Sequence, residues 1–191
     1  MRARLLRYVA VGMALALVSC STTDSVAPPS SMSQPAVASH SLTGILASPV
    51  TVQPLQRIVP LDSNLSASAY IGVLGGTISI PKAGVAVVVP ALALQSPTRI
   101  TVTALAGSNV AYEFAPHGIK FPVPLVVIQS LTNTQAQSGG LVNPLSLRAG
   151  YFPDSSDVTS VTELLDVNVN LFSQTAIFNV WHFSGYILAG G

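Results

Sequence analysis

The chain has 191 residues, of which 49% are hydrophobic and only 8% are charged, and its formal net charge is +1. So few charged residues and so small a net charge do not favour nucleic-acid binding, which usually requires a basic stripe. Its single cysteine, Cys20, excludes a disulfide framework.

The first nineteen residues have the three parts of a secretory signal peptide in order. Arg2, Arg4 and Arg7 form a positive n-region, and residues 9–18 form an apolar run that is too short to span a bilayer. Three of the eight Lys and Arg residues would leave with residues 1–19, whereas all seven Asp and Glu residues would stay. The mature chain is then expected to carry five positive and seven negative side chains, a net charge near −2.

A short motif closes this signal. The sequence Leu-Val-Ser-Cys at residues 17–20 resembles the lipobox of bacterial lipoprotein precursors, in which the cysteine thiol is diacylated and the preceding peptide is cut. The resemblance implies that Cys20 is lipidated and anchors the protein to the cell membrane, where several acyl chains give stable attachment. Ser21, in place of an aspartate, implies the outer membrane if the host is Gram-negative. The alternatives are an ordinary signal peptide and a buried free thiol.

Residues 20–69 are rich in Ser, Thr, Pro, Ala and Gln. Prolines recur through the segment and interrupt any sustained periodicity. The composition predicts a disordered tether that holds a folded domain away from the membrane. Two apolar pieces, residues 44–46 and 57–59, are candidates for additional strands.

Residues 70–191 have the size of a single domain and a hydrophobic period of two. Residues 99–104, for example, alternate polar and apolar side chains, as expected of a strand with one wet face. Clusters of Gly, Pro, Asn, Asp and Ser separate the apolar runs. The pattern predicts an all-β fold, an antiparallel β-sandwich of about eight to nine strands.

Three blocks of this domain carry a family resemblance. They are Gly-Gly-Thr-Ile-Ser-Ile-Pro at residues 75–81 with the strands up to residue 102, Tyr-Glu-Phe-Ala-Pro-His-Gly at residues 112–118 with Phe-Pro-Val-Pro at residues 121–124, and Trp-His-Phe-Ser-Gly-Tyr at residues 181–186. In this order they resemble a ZU-five domain, the β-sandwich of ankyrins, netrin receptors and zonula occludens protein. Residues 131–162 carry no signature of that family.

The resemblance implies one possible reaction. In some ZU-five domains the chain is cut within the His-Phe-Ser segment, which here places the serine hydroxyl of Ser184 as the nucleophile, His182 as the base and Phe183-Ser184 as the scissile bond. Gly185 would give the backbone the freedom that a strained peptide needs.

The alternative, which we favour, is a packed terminal strand. It places alternate residues on opposite faces, with His182, Ser184 and Tyr186 on one face and Trp181, Phe183 and Gly185 on the other. A cut before Ser184 would release only eight residues, with no downstream domain.

Two groups of side chains have the chemistry of metal ligands: His117 with His182, and the aspartates Asp154, Asp157 and Asp166. The histidines lack a third ligand at suitable spacing, and Pro-Asp-Ser-Ser-Asp is typical of a solvated turn. Gly118 predicts a turn with positive φ after His117. We therefore expect no bound metal and no cofactor.

These features predict a non-enzymatic, lipid-anchored module of the cell envelope that presents its sandwich to an envelope or extracellular protein. The alternative is a carbohydrate-binding or adhesion module. Such a module would use exposed aromatic side chains, and the sequence offers few, with Trp181 as its single tryptophan. Tyr151 and Phe152, which precede the Asp-rich turn, are the best candidates.

Overall fold

A computed structural model describes residues 44–190, which contain fifteen strands and two short 3-10 helices. The strands are β1 (Gly44–Thr51), β2 (Gln53–Pro54), β3 (Gln56–Leu61), β4 (Leu65–Ile71), β5 (Gly76–Ile80), β6 (Val85–Val89), β7 (Thr98–Ala104), β8 (Gly107–Asn109), β9 (Ala111–Ala115), β10 (Lys120–Ser130), β11 (Arg148–Phe152), β12 (Ser160–Asp166), β13 (Asn168–Asn170), β14 (Thr175–His182) and β15 (Gly185–Gly190). The 3-10 helices are η1 (Pro81–Ala83) and η2 (Pro144–Ser146).

The strands form two large antiparallel sheets and one small one. The eight-stranded sheet has the order β1-β12-β11-β15-β9-β7-β4, with β2 beside β15, and the five-stranded sheet has the order β13-β14-β10-β6-β5. A two-stranded sheet joins β3 to β8. The predicted all-β, antiparallel, sandwich-like fold is confirmed. Within the part of the chain that the structure describes, no helix is long and apolar enough to cross a membrane.

One hydrophobic core lies between the two large sheets, and alternation along the strands builds it. Val85, Val87 and Val89 of β6 are buried, as are Ile100 and Val102 of β7, while the residues between them are more exposed. The period of two therefore identified the inward faces of these strands correctly.

The eight-stranded sheet is also covered on part of its other face. A second cluster contains side chains of β9, β11, β12 and β15, namely Ala111, Phe152, Val161, Leu164 and Ile187. Strand β15 is consequently buried along almost its whole length. A strand buried on both faces does not alternate, which limits what its sequence pattern can reveal.

The folded domain begins earlier than predicted, because β1 to β3 and most of β4 lie in residues assigned to the tether. Leu55 is fully buried in the main core, and β4 pairs with β7 along all of its seven residues. The assignment of residues 44–69 to a disordered tether is therefore wrong. The candidate strands at residues 44–46 and 57–59 lie within β1 and β3.

The prolines of this segment lie where a sheet tolerates them. Pro49 lies in β1, an edge strand whose register with β12 shifts between Ile45 and Val50. Pro60 lies in β3, where the register with β8 is also irregular. Proline removes a ladder donor and so favours edges and irregular pairs. The composition of residues 44–69 thus reflects irregular edge pairing.

Candidate functional site

The His-Phe-Ser segment forms the corner between the two large sheets. Strand β14 of the five-stranded sheet ends at His182, and β15 of the eight-stranded sheet begins at Gly185. Phe183 and Ser184 span the crossing, and both are buried. The prediction of one continuous strand with alternating faces is wrong here, because a chain that passes from one sheet to the other is enclosed on both sides.

His182 is held by side chains from neighbouring strands. Its Nε2 lies 3.0 Å from Oε2 of Glu163 in β12. The ring of Tyr151 packs edge-on against the imidazole, with 4.9 Å between the ring centroids. The hydroxyl of Tyr186 donates to the His182 carbonyl at 2.9 Å and lies 3.2 Å from Nδ1. Burial raises the pKa of Tyr186, and the nearby Glu163 raises it further, so the phenol remains protonated as a donor.

The peptide between Phe183 and Ser184 is held by backbone hydrogen bonds. The Phe183 N–H donates to the Ile119 carbonyl at 2.9 Å, and the Phe183 carbonyl accepts from the Gly118 N–H at 3.4 Å. The Ser184 carbonyl accepts from the Phe114 N–H at 3.0 Å. Within residues 44–190, Ser184 is not among the hydrogen-bond partners of the His182 side chain. The geometry favours a packed corner over a nucleophile activated by histidine.

Gly185 has a packing role in this corner. Its φ lies outside the left-handed region. The backbone at Gly185 therefore does not use the conformational freedom that self-cleavage was expected to need there. A Cβ atom at this position would overlap the ring of Phe152. Phe152 is only 1% exposed, and Tyr151 is half-buried against His182, so this pair does not form the exposed aromatic platform that the carbohydrate-binding alternative would use.

The three candidate aspartate ligands bind protein groups. Asp154 accepts from the Ser156 N–H, which lowers the pKa of its carboxyl, and Asp157 accepts from Thr159. Asp166 forms an ion pair of 2.7 Å with Arg148. His117 lies exposed in the turn before Gly118, whose φ of +82° confirms the predicted positive-φ turn. No group of three or more His, Cys, Asp or Glu side chains in the described chain could hold a metal ion.

A buried polar network was missed by sequence reasoning. Arg57 of β3 is 7% exposed and is the one charged side chain classed as buried between residues 44 and 190. The Tyr112 hydroxyl donates to Oε1 of the buried Gln129. Burial lowers the pKa of Arg57 and raises the pKa of Tyr112. The two side chains interact, so Tyr112 partly restores the pKa of Arg57 and Arg57 partly restores that of Tyr112. These residues are far apart in sequence, and the available signal was Arg57 itself, a lone positive charge in an apolar, proline-rich segment.

Strand β4 ends the eight-stranded sheet, and its outer edge has no partner strand among the residues described. Tyr70 of β4 and three residues of the neighbouring turns have exposed side chains that are largely apolar; the three are Val73, Leu74 and Leu92. The Leu92 N–H donates to the Val73 carbonyl at 2.8 Å, which joins two turns at this end of the domain. We call β4 and these four side chains the β4 surface.

Leu92 has a backbone conformation that is rare for its type. Its φ is +68°, in the left-handed region, although leucine carries a side chain that disfavours it. That side chain is exposed rather than packed in the core. A strained residue that exposes a large apolar group is a feature more typical of binding sites than of ordinary turns.

Cys20 and the lipobox lie outside the described residues. Comparison of the whole chain with models of protein families and with curated proteins finds no match. The resemblances to bacterial lipoproteins and to ZU-five domains therefore stay predictions that rest on the motifs themselves.

Proposed function

We propose that the protein is a non-enzymatic surface module of the cell envelope, anchored through acyl chains on Cys20, which binds another envelope or extracellular protein through the β4 surface. The anchor rests on the order of charged, apolar and Leu-Val-Ser-Cys segments at the N-terminus. The partner site rests on the chemistry of β4 and its neighbouring turns.

The observation that carries the proposal is the unprotected edge of β4. Natural sheets usually guard an edge with charges, prolines or bulges, because unpaired backbone groups recruit strands from other chains. Strand β4 has the sequence Leu-Ser-Ala-Ser-Ala-Tyr-Ile, with no charge and no proline, and its pairing with β7 is regular throughout. It is therefore suited to accept a strand from a partner, which main-chain hydrogen bonds would hold.

The exposed side chains supply the specific part of such an interface. Tyr70, near the end of β4, is 78% exposed, and Leu74, shortly after the end of the strand, is 88% exposed. Tyrosine is enriched among the residues that supply most of the binding energy of protein interfaces, and an exposed leucine gains free energy when a partner covers its apolar surface. We therefore expect the partner strand to run along β4 and to bury these two residues.

A photo-crosslinking amino acid at Leu74 tests this in intact cells. We expect one defined product between this protein and an envelope protein. In the same protein, Leu92→Gly should weaken the product severalfold, because it deletes an apolar contact worth about 1–3 kcal/mol while glycine accepts the positive φ.

The matched control places the crosslinker at Phe172, which is 99% exposed on the turn between β13 and β14. This position should give no defined protein product. Equal products from both positions, or a product at Leu74 that contains only glycan, would contradict the proposal.

A further inference from the structure

We infer that the cleft between β3, η1 and the loop after β10 binds a small ligand through its carboxylate group, with Arg57 as the main recognition residue. The cleft has a volume of about 340 Å³. Its polar lining includes Arg57, Lys82, Gln129, Ser130 and Thr134. This site lies apart from the β4 surface and does not depend on the function proposed for it.

The Arg57 guanidinium is fixed by one nitrogen. Its Nη1 donates to the carbonyl of Asn109 and lies 3.4 Å from the carbonyls of Leu105 and Gly107. Its Nε and Nη2 are buried and have no hydrogen-bond partner among the described residues. These two nitrogens form one edge of the guanidinium, the edge that binds both oxygens of a carboxylate.

Between residues 44 and 190, no acidic side chain forms an ion pair with Arg57. The part of the cleft lining that the structure describes includes no Asp or Glu. The Tyr112 hydroxyl lies within hydrogen-bond reach of the guanidinium, and its oxygen can accept from Arg57, but the phenol is neutral and donates its own proton to Gln129. The amide nitrogen of Gln129 in turn donates to the carbonyls of Ala83 and Ser130. A buried guanidinium without a carboxylate partner is destabilising, and a ligand carboxylate would relieve that cost.

The rest of the lining suits a small acid. Lys82 in η1 is exposed at the cleft and offers a second positive charge. Val59, Pro60 and Pro81 supply an apolar wall for the remainder of the molecule. Ligand sites commonly combine such apolar walls with a few placed polar groups. Because Nε and Nη2 are shielded from water, binding also requires a small movement of the cleft wall.

Calorimetric or NMR titration of the full chain in detergent, at constant ionic strength, tests the inference with succinate as the probe. Acetamide is the neutral comparison, and inorganic phosphate is the comparison for charge without the planar carboxylate. We expect saturable binding of succinate, no binding of acetamide, and phosphate binding at least about tenfold weaker than succinate binding.

Three variants locate the site. Arg57→Lys should weaken succinate binding about tenfold or more, because lysine cannot present the two-nitrogen edge. Lys82→Gln, at an exposed position that folding does not require, should weaken it about threefold to tenfold. Arg99→Lys, at an exposed arginine of β7, should leave binding unchanged.

The inference is overturned if succinate shows no saturable binding, if acetamide or phosphate binds as well as succinate, or if Lys82→Gln and a folded Arg57→Lys both bind it like the unaltered protein. Thermal unfolding of each variant shows whether it is folded.

Discussion

Gly185→Ala should destabilise the domain by about 3 kcal/mol or more, since the new methyl group would overlap the ring of Phe152. Phe152 has no free space to move into, because it is buried in the second hydrophobic cluster with Val161 and Ile187. Either the ring leaves its position or β11 and β15, which pair at these two residues, move apart. Chemical denaturation gives the change in the free energy of unfolding.

Gly72→Ala is the matched control for this substitution. Its Cβ would have only an ordinary contact with Pro97, at 3.8 Å, and its φ lies outside the left-handed region. The expected change is within about 0.5 kcal/mol. The double variant Gly185→Ala with Phe152→Leu should be less destabilised than the sum of the single variants by at least about 1 kcal/mol. Additive effects would show that the two residues do not compete for the same space.

Phe183→Ala should destabilise the domain by about 3–5 kcal/mol, a large part of the stability of a typical domain. The Phe183 ring stacks on Phe114 at a centroid distance of 5.6 Å and meets Phe121 edge-on at 4.7 Å. Removing it leaves a cavity at the corner where the chain passes between the sheets. Thermal and chemical unfolding measure the loss.

Phe172→Ala makes the same chemical change at a fully exposed site and should alter stability by no more than about 0.5 kcal/mol. The unaltered protein should retain its last eight residues when its mass is measured under denaturing conditions. A small effect of Phe183→Ala together with loss of residues 184–191 would instead indicate that this segment is cut.

The fold class was predictable because alternation survives wherever a strand has one buried face. Strands β6 and β7 follow it residue by residue. The pattern failed at β15 and at Phe152, since the eight-stranded sheet is covered there on both faces. Whether a second layer covers a face depends on distant parts of the chain, and local periodicity carries no record of them.

The start of the domain was missed for a related reason. Prolines at residues 49, 54 and 60 indicated an extended tether, yet in this fold they occupy irregular or edge pairings. Composition alone does not separate an edge strand from a linker, because both avoid regular hydrogen-bond ladders. The buried side chain of Leu55 distinguishes them only after the core is known.

The cleft between β3, η1 and the loop after β10 could not be predicted, because its residues are far apart along the chain. Arg57, Lys82 and Gln129 come from three different elements. The sequence did indicate that Arg57 is unusual, because a lone arginine in an apolar, proline-rich segment has few acidic partners to neutralise it. Its place beside a cleft could be read only from the structure.

We propose that acyl chains on Cys20 hold this β-domain at the membrane. The most direct measurement compares the mass and the membrane fraction of the mature protein from cells that express the unaltered chain or Cys20→Ala. We expect a mature chain that begins at an acylated Cys20 and sediments with membranes. Cys20→Ala should lack the acyl mass and lose membrane retention while its domain stays folded. Retention of Cys20→Ala in the membrane fraction, or an unmodified Cys20 in the unaltered protein, would contradict it.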